Sequence, residues 1–467
     1  LEAATPPVKP ASKRIKTSAL KPKAPTNEQG FFEVRVAAPG ASVLADTLLQ
    51  DAIDTVAARG GGVVLLGAGD FKLSRHAGDE TLVLKSNITL RGQGYATHLY
   101  LDPATPPQPL RYYPVRIGTE TTPASNVVVE NLRYTANNAR IGGGSIMGFN
   151  ARLGAPGAWL LSSDNITVQH CWINDAMQAA GCTKDGLHTY PTAERLAAQF
   201  KNWQVCHNTI DTCGNKAVEL AECNGGLIAG NHITNTFDGP QVICGSRNVQ
   251  ICDNIVYFTA TGINITEGSN HIRISGNQVE PMPSISKNSS GSCLFFRTEP
   301  QQHDTSVSDI IVTGNIFRDP YTRSRRAVMF QTRKEAIACT YQGITITGNV
   351  FEGDVLFFDH TSPAKTIIKD IIFADNICEG VIASVPAATM ASSHVVVRGN
   401  MMRSANDCVL NASQWVWSGN THTASSLQIA AGAANNVVHE NVTASPIADS
   451  GTATNLINNS VIAKISP

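Results

Sequence analysis

Five acidic side chains gather in the middle of the chain: Asp185, Glu219, Glu222, Asp238 and Glu267. Two carboxyl groups roughly 5–10 Å apart are what acid/base or nucleophilic cleavage of a glycosidic bond requires. We predict that Asp238 and Glu219 form such a catalytic pair, with Glu267 and Asp185 as substitutes. Both aspartates are followed by glycine, a common turn sequence, so a purely structural role stays open for them.

A second set of side chains supports a different chemistry. His188, Tyr190, Lys216 and Arg297 are residue types that abstract the proton alpha to a uronate carboxyl group or neutralise that carboxylate. A polysaccharide lyase is therefore an alternative. The run TRSRRA (322–327) places three arginines in a predicted loop that could hold an anionic sugar, although solvation is the simpler interpretation: Arg323, Arg325 and Arg326.

The central residues belong to a sequence repeat. Segments 201–223, 224–246 and 247–269 align without a gap, and each is 23 residues long. Asparagine recurs at one place in every unit and once more after the last unit: Asn208, Asn231, Asn254 and Asn277. A repeat period of 20–50 residues is typical of a solenoid.

Each repeat contains two short runs of alternating apolar residues, such as NVQIC (248–252) and INITE (263–267). Such alternation, rich in Val, Ile and Thr, predicts β-strands. Stacked asparagines at a corner can hydrogen-bond to the coils above and below. The unit therefore predicts one coil of a parallel β-helix. The asparagines continue at uneven intervals, which indicates loops inserted between strands: Asn315, Asn349, Asn376 and Asn400.

Strand alternation predicts which side chains face outward, because successive residues of a strand point to opposite sides. The gapless alignment sets Glu219 opposite Val242 and Ile265, which are apolar inward positions. A one-residue slip reverses every side chain, and an unpaired buried carboxylate is costly. We therefore predict a β-bulge that returns Glu219 to an outward column with His188, Gln241 and Asn264, continued by Arg297. The predicted substrate-binding residues are His188, Tyr190, Gln241, Asn264, Arg297 and Glu222.

The N-terminal part of the chain differs from the repeats. Residues 1–30 are rich in Pro, Ala, Lys and Ser and predict an extended or disordered arm or linker. The β-helix domain is predicted over 31–467. Within segment 44–73 an apolar stripe predicts a helix that ends at Gly60–Gly62 and caps the first coil: Leu48, Leu49, Ala52, Ile53 and Val56.

Composition narrows the functional classes. The 467 residues carry a net charge of −1, so no electrostatic feature favours nucleic acid as a partner, and no apolar run suggests membrane insertion. The eleven cysteines lack the C-x-x-C spacing of metal sites, and buried thiols are the simplest interpretation. We predict no metal and no cofactor. Trp172 and Trp203 are expected in the core, whereas Trp159, Trp415 and Trp417 could stack on sugars.

The helix, the strand GGGVVLLGAGDFKL (60–73) and the turn SNITLRGQG (86–94) resemble the entry module of the pectate-lyase-like, right-handed β-helix superfamily. The segments CGNKAVEL (213–220), GNHI (230–233) and FDG (237–239) are similar in order to inulin fructotransferase. That resemblance implies a catalytic role for Asp238. The glutamate that this family carries about ten residues later has no counterpart, since Arg247 and Asn248 stand there.

Three functions follow as expectations. The first is an extracellular or secreted carbohydrate-active enzyme, a glycoside hydrolase or fructotransferase-like protein, that cleaves or rearranges bonds of a polysaccharide or oligosaccharide. The second is a lyase acting on a uronate polymer. The third is a non-catalytic adhesin or phage tail receptor-binding protein. A homotrimer is plausible by the same resemblance.

Overall fold

The chain winds into a parallel β-helix. This computed structural model describes residues 32–74, 80–103, 113–119, 121–137, 147–152, 162–183, 193–282, 291–298, 305–318, 326–332, 339–357, 366–384 and 391–462. The described strands pair in parallel, each with the equivalent strand of the next coil. This confirms the predicted fold. The predicted arm over 1–30 lies outside these ranges.

The first strand of every coil belongs to one sheet of 16 strands, which we call the first sheet. Its strands are β1 Glu33–Val36, β2 Gly62–Leu66, β5 Ile88–Arg91, β8 Val127–Glu130, β11 Ile166–Gln169, β13 Phe200–Cys206, β15 Cys223–Ala229, β17 Arg247–Cys252, β20 Asn270–Ser275, β23 Thr305–Thr313, β26 Cys339–Thr347, β29 Thr366–Ala374, β32 Ala391–Arg398, β35 Trp415–Ser418, β38 Val437–His439 and β41 Asn455–Ile457.

Two further strand positions complete each coil and form the second and third sheets. The second sheet contains β3 Gly69–Leu73, β6 Thr97–Leu101, β9 Arg133–Thr135, β18 Ile255–Thr261, β21 Gln278–Pro281, β24 Ile316–Phe317, β27 Val350–Phe351, β30 Ile377–Cys378, β33 Met401–Met402, β36 Thr421–His422, β39 Val442–Thr443 and β42 Ser460–Val461.

The third sheet contains β4 Glu80–Leu84, β7 Tyr113–Ile117, β10 Met147–Arg152, β19 Ile263–Thr266, β22 Ser292–Thr298, β25 Arg326–Thr332, β28 Asp354–Phe357, β31 Ile382–Ser384, β34 Cys408–Leu410, β37 Leu427–Ile429 and β40 Ala448–Asp449. Three long strands cross from the second sheet into the third without a break: β12 Trp172–Thr183, β14 Thr209–Ala221 and β16 His232–Ile243.

The second sheet is absent from the sequence prediction, which places only turn residues between the two apolar runs. In the third repeat the intervening residues form β18. In later coils this strand shrinks to two residues, as in β24 and β27. A segment of two residues cannot display alternation, so its strand character is set by the neighbouring coils.

The predicted asparagine ladder is confirmed and longer than predicted. The side chain of Asn254 donates from Nδ2 to Asn277 Oδ1 at 2.9 Å, and the Asn231 side chain donates in the same way to Asn254. At the N-terminal end Cys171 stands in the corner position, and its backbone N–H donates to Asn208 Oδ1 at 3.0 Å. Beyond Asn400 three further asparagines continue the ladder: Asn420, Asn441 and Asn459.

The corner at each asparagine needs a left-handed residue just before it. Those residues have φ between 52° and 67° in the coils from β11 to β20, where they are His170, His207, Gly230, Asp253 and Gly276. Only Gly, and to a smaller degree Asn, Asp and His, adopts this conformation at low cost. Two adjacent residues of each repeat therefore form the corner: one with positive φ, and the asparagine or cysteine that follows it.

The helix α1 Asp46–Ala57 covers the first coil, as predicted. Leu49, Ile53 and Val56 are buried against the apolar core, and Leu48 packs at its edge. The chain then passes very close to β1, because a Cβ on Gly62 would lie 2.1 Å from the carbonyl oxygen of Phe32. The second helix, α2 Ala193–Ala197, is a single short turn. No helix of the described ranges is long and apolar enough to cross a membrane.

Aromatic and sulfur side chains fill the interior. Trp203 is buried as predicted, but Trp415 and Trp417 are buried too and are therefore excluded from sugar stacking. All eleven cysteines are free thiols, and only Cys252 is partly exposed, which confirms the interpretation as buried thiols. Burial raises the pKa of the Cys171 thiol to about 12, so this group stays protonated at neutral pH.

A buried histidine near the C-terminal end predicts a pH-dependent stability. His422 is fully buried, neither ring nitrogen has a hydrogen-bond partner, and burial lowers its pKa from 6.5 to about 4. Between these values the unfolded chain binds the proton and the folded chain does not, so the free energy of unfolding should fall by up to about 3 kcal/mol as the pH drops from 6.5 to 4.

Urea titrations at several pH values measure the free energy of unfolding of the native protein and of His422→Phe. The variant should not show the fall in this free energy between pH 6.5 and 4. His394→Gln changes an exposed histidine and serves as the control. Parallel pH profiles for the native protein and His422→Phe would contradict the prediction.

Candidate functional site

The predicted bulge in β14 exists, and it sets the register of the candidate site. Between its paired residues Cys213 and Lys216, β14 contains one residue more than β12 and β16 do at the same place. As a result Glu219 lies opposite Gln241, and Gln241 lies opposite Asn264. The prediction that these three residues share one column is confirmed.

The Glu219 column, as we call this row, faces away from the interior of the coil. Val218 and Leu220, on either side of Glu219, both belong to the hydrophobic core. Since neighbouring residues of a strand point to opposite faces, Glu219 points outward. It is nevertheless only 2% exposed, and Asn264 is 1% exposed. The outer face of the third sheet is thus covered rather than open at this level.

The column extends toward the N-terminus beyond the repeats. Strand pairing continues it from Glu219 through Gly181 and Asn150 to Arg116. In the other direction it becomes apolar at Phe295 and Met329. Its polar part is therefore bounded on the C-terminal side by Phe295. Arg116 was not among the residues predicted from the sequence. The alternation of Val115, Arg116 and Ile117 does indicate that Arg116 faces outward.

The column position next to Glu219 on its N-terminal side carries no side chain. Gly181 occupies the position one coil below, where a Cβ would lie 2.0 Å from the backbone oxygen of Glu219. No side chain fits there without displacing the main chain. The carboxylate therefore has no side chain of the same column next to it on that side.

Glu219 is held by a lysine that also faces the second predicted carboxylate. Lys216 Nζ donates to Glu219 Oε2 within a buried ion pair. In the strand register Lys216 lies opposite Asp238, with a spacing of about 4.8 Å between neighbouring strands. Lys216 is thus the ion-pair partner of Glu219 and the strand neighbour of Asp238.

Asp238 does not lie in the turn that its Asp–Gly sequence indicates. It lies inside β16, its backbone is extended in a strand rather than in a turn, and its residue is 9% exposed. The sequence FDG suggested a turn because Asp–Gly is common in turns. The parallel pairing with Lys216 and Thr261 on the two sides overrides that local preference.

Amide groups on this face lack hydrogen-bond partners. Neither Oδ1 nor Nδ2 of Asn264 is bonded, and the same holds for Gln241 Oε1 and Gln178 Nε2. Gln178 stands opposite Lys216, so all three amides belong to the same part of the sheet. A buried amide without a partner costs roughly 1–3 kcal/mol. These groups therefore keep unused hydrogen-bonding capacity on the outer side of the sheet.

The other predicted carboxylates lie in tight turns after the third sheet. Glu222 forms a bidentate ion pair with Arg195 of α2, in which Arg195 Nε lies 3.1 Å from Glu222 Oε2. Glu267 accepts a hydrogen bond from Thr266 Oγ1 and is fully buried. Both glutamates have positive φ, 54° and 27°. These contacts suit a structural role at the turns.

Arg297 faces outward but not in the predicted column. It lies opposite Thr266, two residues along the strand from the partner of Asn264, which is Phe295. Its guanidinium lies 5.7 Å from the ring of Phe295. Unequal loops between the coils hide this register in the sequence, so the predicted continuation of the column through Arg297 was wrong.

Several predicted residues fall elsewhere or outside the described ranges. Arg326 begins strand β25 instead of lying in a loop, and it pairs with Ser292 and Asp354. Burial raises the pKa of Asp354, and Arg326 partly offsets this. Among the described residues no group of three or more His, Cys, Asp or Glu side chains could hold a metal ion. The residues outside the described ranges are Asp185, His188, Tyr190, Arg323, Arg325 and Trp159.

Comparisons with known proteins agree with this architecture. Residues 157–298 match the family described as the right-handed β-helix region. No curated protein sequence matches the chain.

Solved structures extend the likeness over most of the chain. The A-module of a mannuronan C-5 epimerase from Azotobacter vinelandii is 16% identical, with 90% of this chain and 94% of that chain covered and a TM-score of 0.45. A mutant tailspike protein of E. coli bacteriophage HK620, in complex with a pentasaccharide, is 13% identical over 89% of this chain and 75% of that chain, with a TM-score of 0.50. At such identities the likeness is one of fold. The tailspike and the family match over residues 157–298 confirm the right-handed parallel β-helix.

Proposed function

We propose that this right-handed parallel β-helix is an extracellular enzyme that cleaves or rearranges glycosidic bonds of a polysaccharide on the outer face of its third sheet. The observation that carries the proposal is the Glu219 column with its unbonded amides of Gln241 and Asn264. Sugar hydroxyl groups both donate and accept, as these amides require. The tailspike of similar fold was solved with a bound pentasaccharide.

Glu219 and Asp238 supply the chemistry in this proposal. Glu219, bonded to Lys216, remains an ionised carboxylate and acts as the nucleophile or base. Asp238, on the neighbouring strand, donates the proton to the leaving oxygen. Gln241 and Asn264 hold the next sugars along the stack of coils.

A panel of polysaccharides and two readouts test the proposal. A hydrolase releases reducing ends without new ultraviolet absorbance, and a fructotransferase releases a cyclic product that chromatography identifies. The resemblance to inulin fructotransferase stays a prediction, which inulin in the panel addresses. Absence of any product from every polymer would contradict the enzymatic proposal and favour the adhesin or tail receptor-binding function.

Cations on the same face favour a second candidate, a lyase acting on a uronate polymer. Arg116 lies in the Glu219 column, Lys216 beside it, and Arg297 two residues further along the sheet. Such groups neutralise the carboxylate of a uronate while the alpha proton is removed. This reaction would give an unsaturated product, so ultraviolet absorbance that rises together with chain cleavage separates it from hydrolysis.

A homotrimer is part of the proposal. Aliphatic side chains stay exposed on the outer face of the first sheet, where Ile311 is 48% and Ile372 is 37% exposed. Thr345 lies between these two isoleucines in the strand pairing, and Val396 pairs with Ile372 on the other side. Exposed apolar rows of this kind mark interaction surfaces. Sedimentation equilibrium tests this directly, and a mass of one chain at micromolar concentration would contradict it.

A further inference from the structure

A cluster of aromatic and polar side chains lies on the outer face of the second sheet, apart from the Glu219 column. We call it the Trp172 surface, and it consists of Tyr95, His98, Tyr100, Arg133 and Trp172. Strand pairing sets His98 opposite Arg133, and Arg133 opposite Trp172. Trp172 had been expected in the core, but it faces outward and is partly exposed. Its neighbours Cys171 and Ile173 fill the core instead.

The aromatic rings of this surface are held at defined distances. The ring of Tyr95, in the turn Gly94–Ala96, lies 5.7 Å from that of Trp172 at an angle of 60°. The guanidinium of Arg133 lies 4.3 Å from the Trp172 ring, within the range of a cation–π contact. Tyr95 is 50% exposed. A large aromatic ring is therefore presented to solvent on a fixed support.

Hydrogen bonds fix the polar part of the surface. His98 Nδ1 lies 3.1 Å from Asp70 Oδ1, and His98 Nε2 lies 2.9 Å from Thr135 Oγ1. Thr135 in turn donates to Asn174 Oδ1 at 2.8 Å. The ring of Tyr100 stacks on His98 with 5.0 Å between centroids. Such a chain of bonds across four coils restricts these side chains to one arrangement.

Two donors at the centre of the surface remain without partners. Trp172 Nε1 and Arg133 Nε are both inaccessible to solvent and make no hydrogen bond. Each unbonded donor is unfavourable. The exposed aromatic face of Tyr95 beside the partly exposed guanidinium of Arg133 matches the chemistry of a sugar, which has an apolar face of C–H groups and a rim of oxygen acceptors.

We propose that the Trp172 surface is a second carbohydrate-binding site, which holds a distant part of the same polymer that the Glu219 column acts on. A sugar ring stacks on Tyr95, and its oxygens accept from the partly exposed guanidinium of Arg133. The strand β12 joins the two places, since it contains both Trp172 and Gly181. Their separation along the strand is about 30 Å, the length of several sugars. This inference rests on the proposed function only for the identity of the polymer.

Affinity electrophoresis through gels that contain each polysaccharide of the panel tests the site. The comparison is made with Glu219→Gln as background, so that the polymer stays intact during the run. Tyr95→Ala should weaken retardation about tenfold. Arg133→Gln should act in the same direction. Turnover of a short oligosaccharide by Tyr95→Ala in the otherwise native protein should stay unchanged.

Tyr257→Ala is the matched control, since Tyr257 also lies on the outer face of the second sheet, in β18. Retardation lost in Tyr95→Ala and kept in Tyr257→Ala supports the site, even where no polymer is cleaved and the proposed function has failed. Equal retardation of the two variants overturns the site alone. Failure of every polysaccharide to retard the protein overturns it as well.

Discussion

Glu219→Gln is expected to lower kcat by roughly a thousandfold on the polysaccharide that the panel identifies. The amide keeps the shape of the side chain but can neither accept a proton nor attack a sugar carbon. Because the amide keeps the shape of the side chain, substrate binding should weaken less than turnover does. The change also leaves Lys216 without its buried carboxylate, which should lower the stability of the fold. Initial rates over a range of substrate concentrations separate kcat from KM. Asp238→Asn should produce a loss of similar size.

The matched control is Glu352→Gln, the same change in an ion pair far along the axis. Glu352 Oε1 lies 3.0 Å from Arg318 Nε, outside the Glu219 column. Its kcat should equal that of the native protein. Circular dichroism of each variant shows whether the fold is kept. A folded Glu219→Gln or Asp238→Asn protein with full kcat would show that the residue in question has no catalytic role.

Asn254→Ala should lower the free energy of unfolding by about 4 kcal/mol. The side chain donates to Asn277 Oδ1, Ile228 O and Cys252 O, and its Oδ1 accepts from the backbone and side chain of Asn231. All of these contacts are at the closed interior of the corner, where water cannot replace them. Five hydrogen bonds would therefore be lost at once, and the buried backbone N–H of Asn231 would lose its acceptor.

Denaturation by urea, followed by circular dichroism, measures this loss. The control is Asn165→Gly, in the exposed row formed by Asn126, Asn165 and Asn202 at the start of the first sheet. Glycine keeps the positive φ of 58°, and water can replace the lost bonds, so the change should be below about 1 kcal/mol. Similar losses in the two variants would mean that the buried ladder adds no more stability than the exposed one.

The predictions of the asparagine ladder and of the bulge both depend on one property of the sequence. The three central repeats have equal length, so that positions in successive coils can be compared residue by residue. In that part of the chain, the gapless alignment places Glu219 on the inner face. A buried carboxylate costs more free energy than a bulge, so the sequence predicts a bulge that places Glu219 on the outer face. The structure bears out this argument through the extra residue between Cys213 and Lys216.

Outside the equal repeats the register is not readable from the sequence. Arg297 follows a coil with an inserted segment, and its place beside Thr266 depends on how many residues that segment absorbs. Arg116 precedes the repeats, so no period connects it to Glu219. Trp172 shows a different limit. A large apolar residue beside a corner suggests burial, but strand alternation around Ile173 places it outside.

Alternation along the strands separates the side chains that pack in the interior from those that form the outer face. Val218 and Leu220 serve the packed interior, while Glu219 between them serves the outer face. A substitution at an outer position leaves the packing of Val218 and Leu220 in place, because the two sets of side chains lie on opposite sides of the strand. Under the proposed function, the scaffold can therefore acquire new specificities one coil at a time.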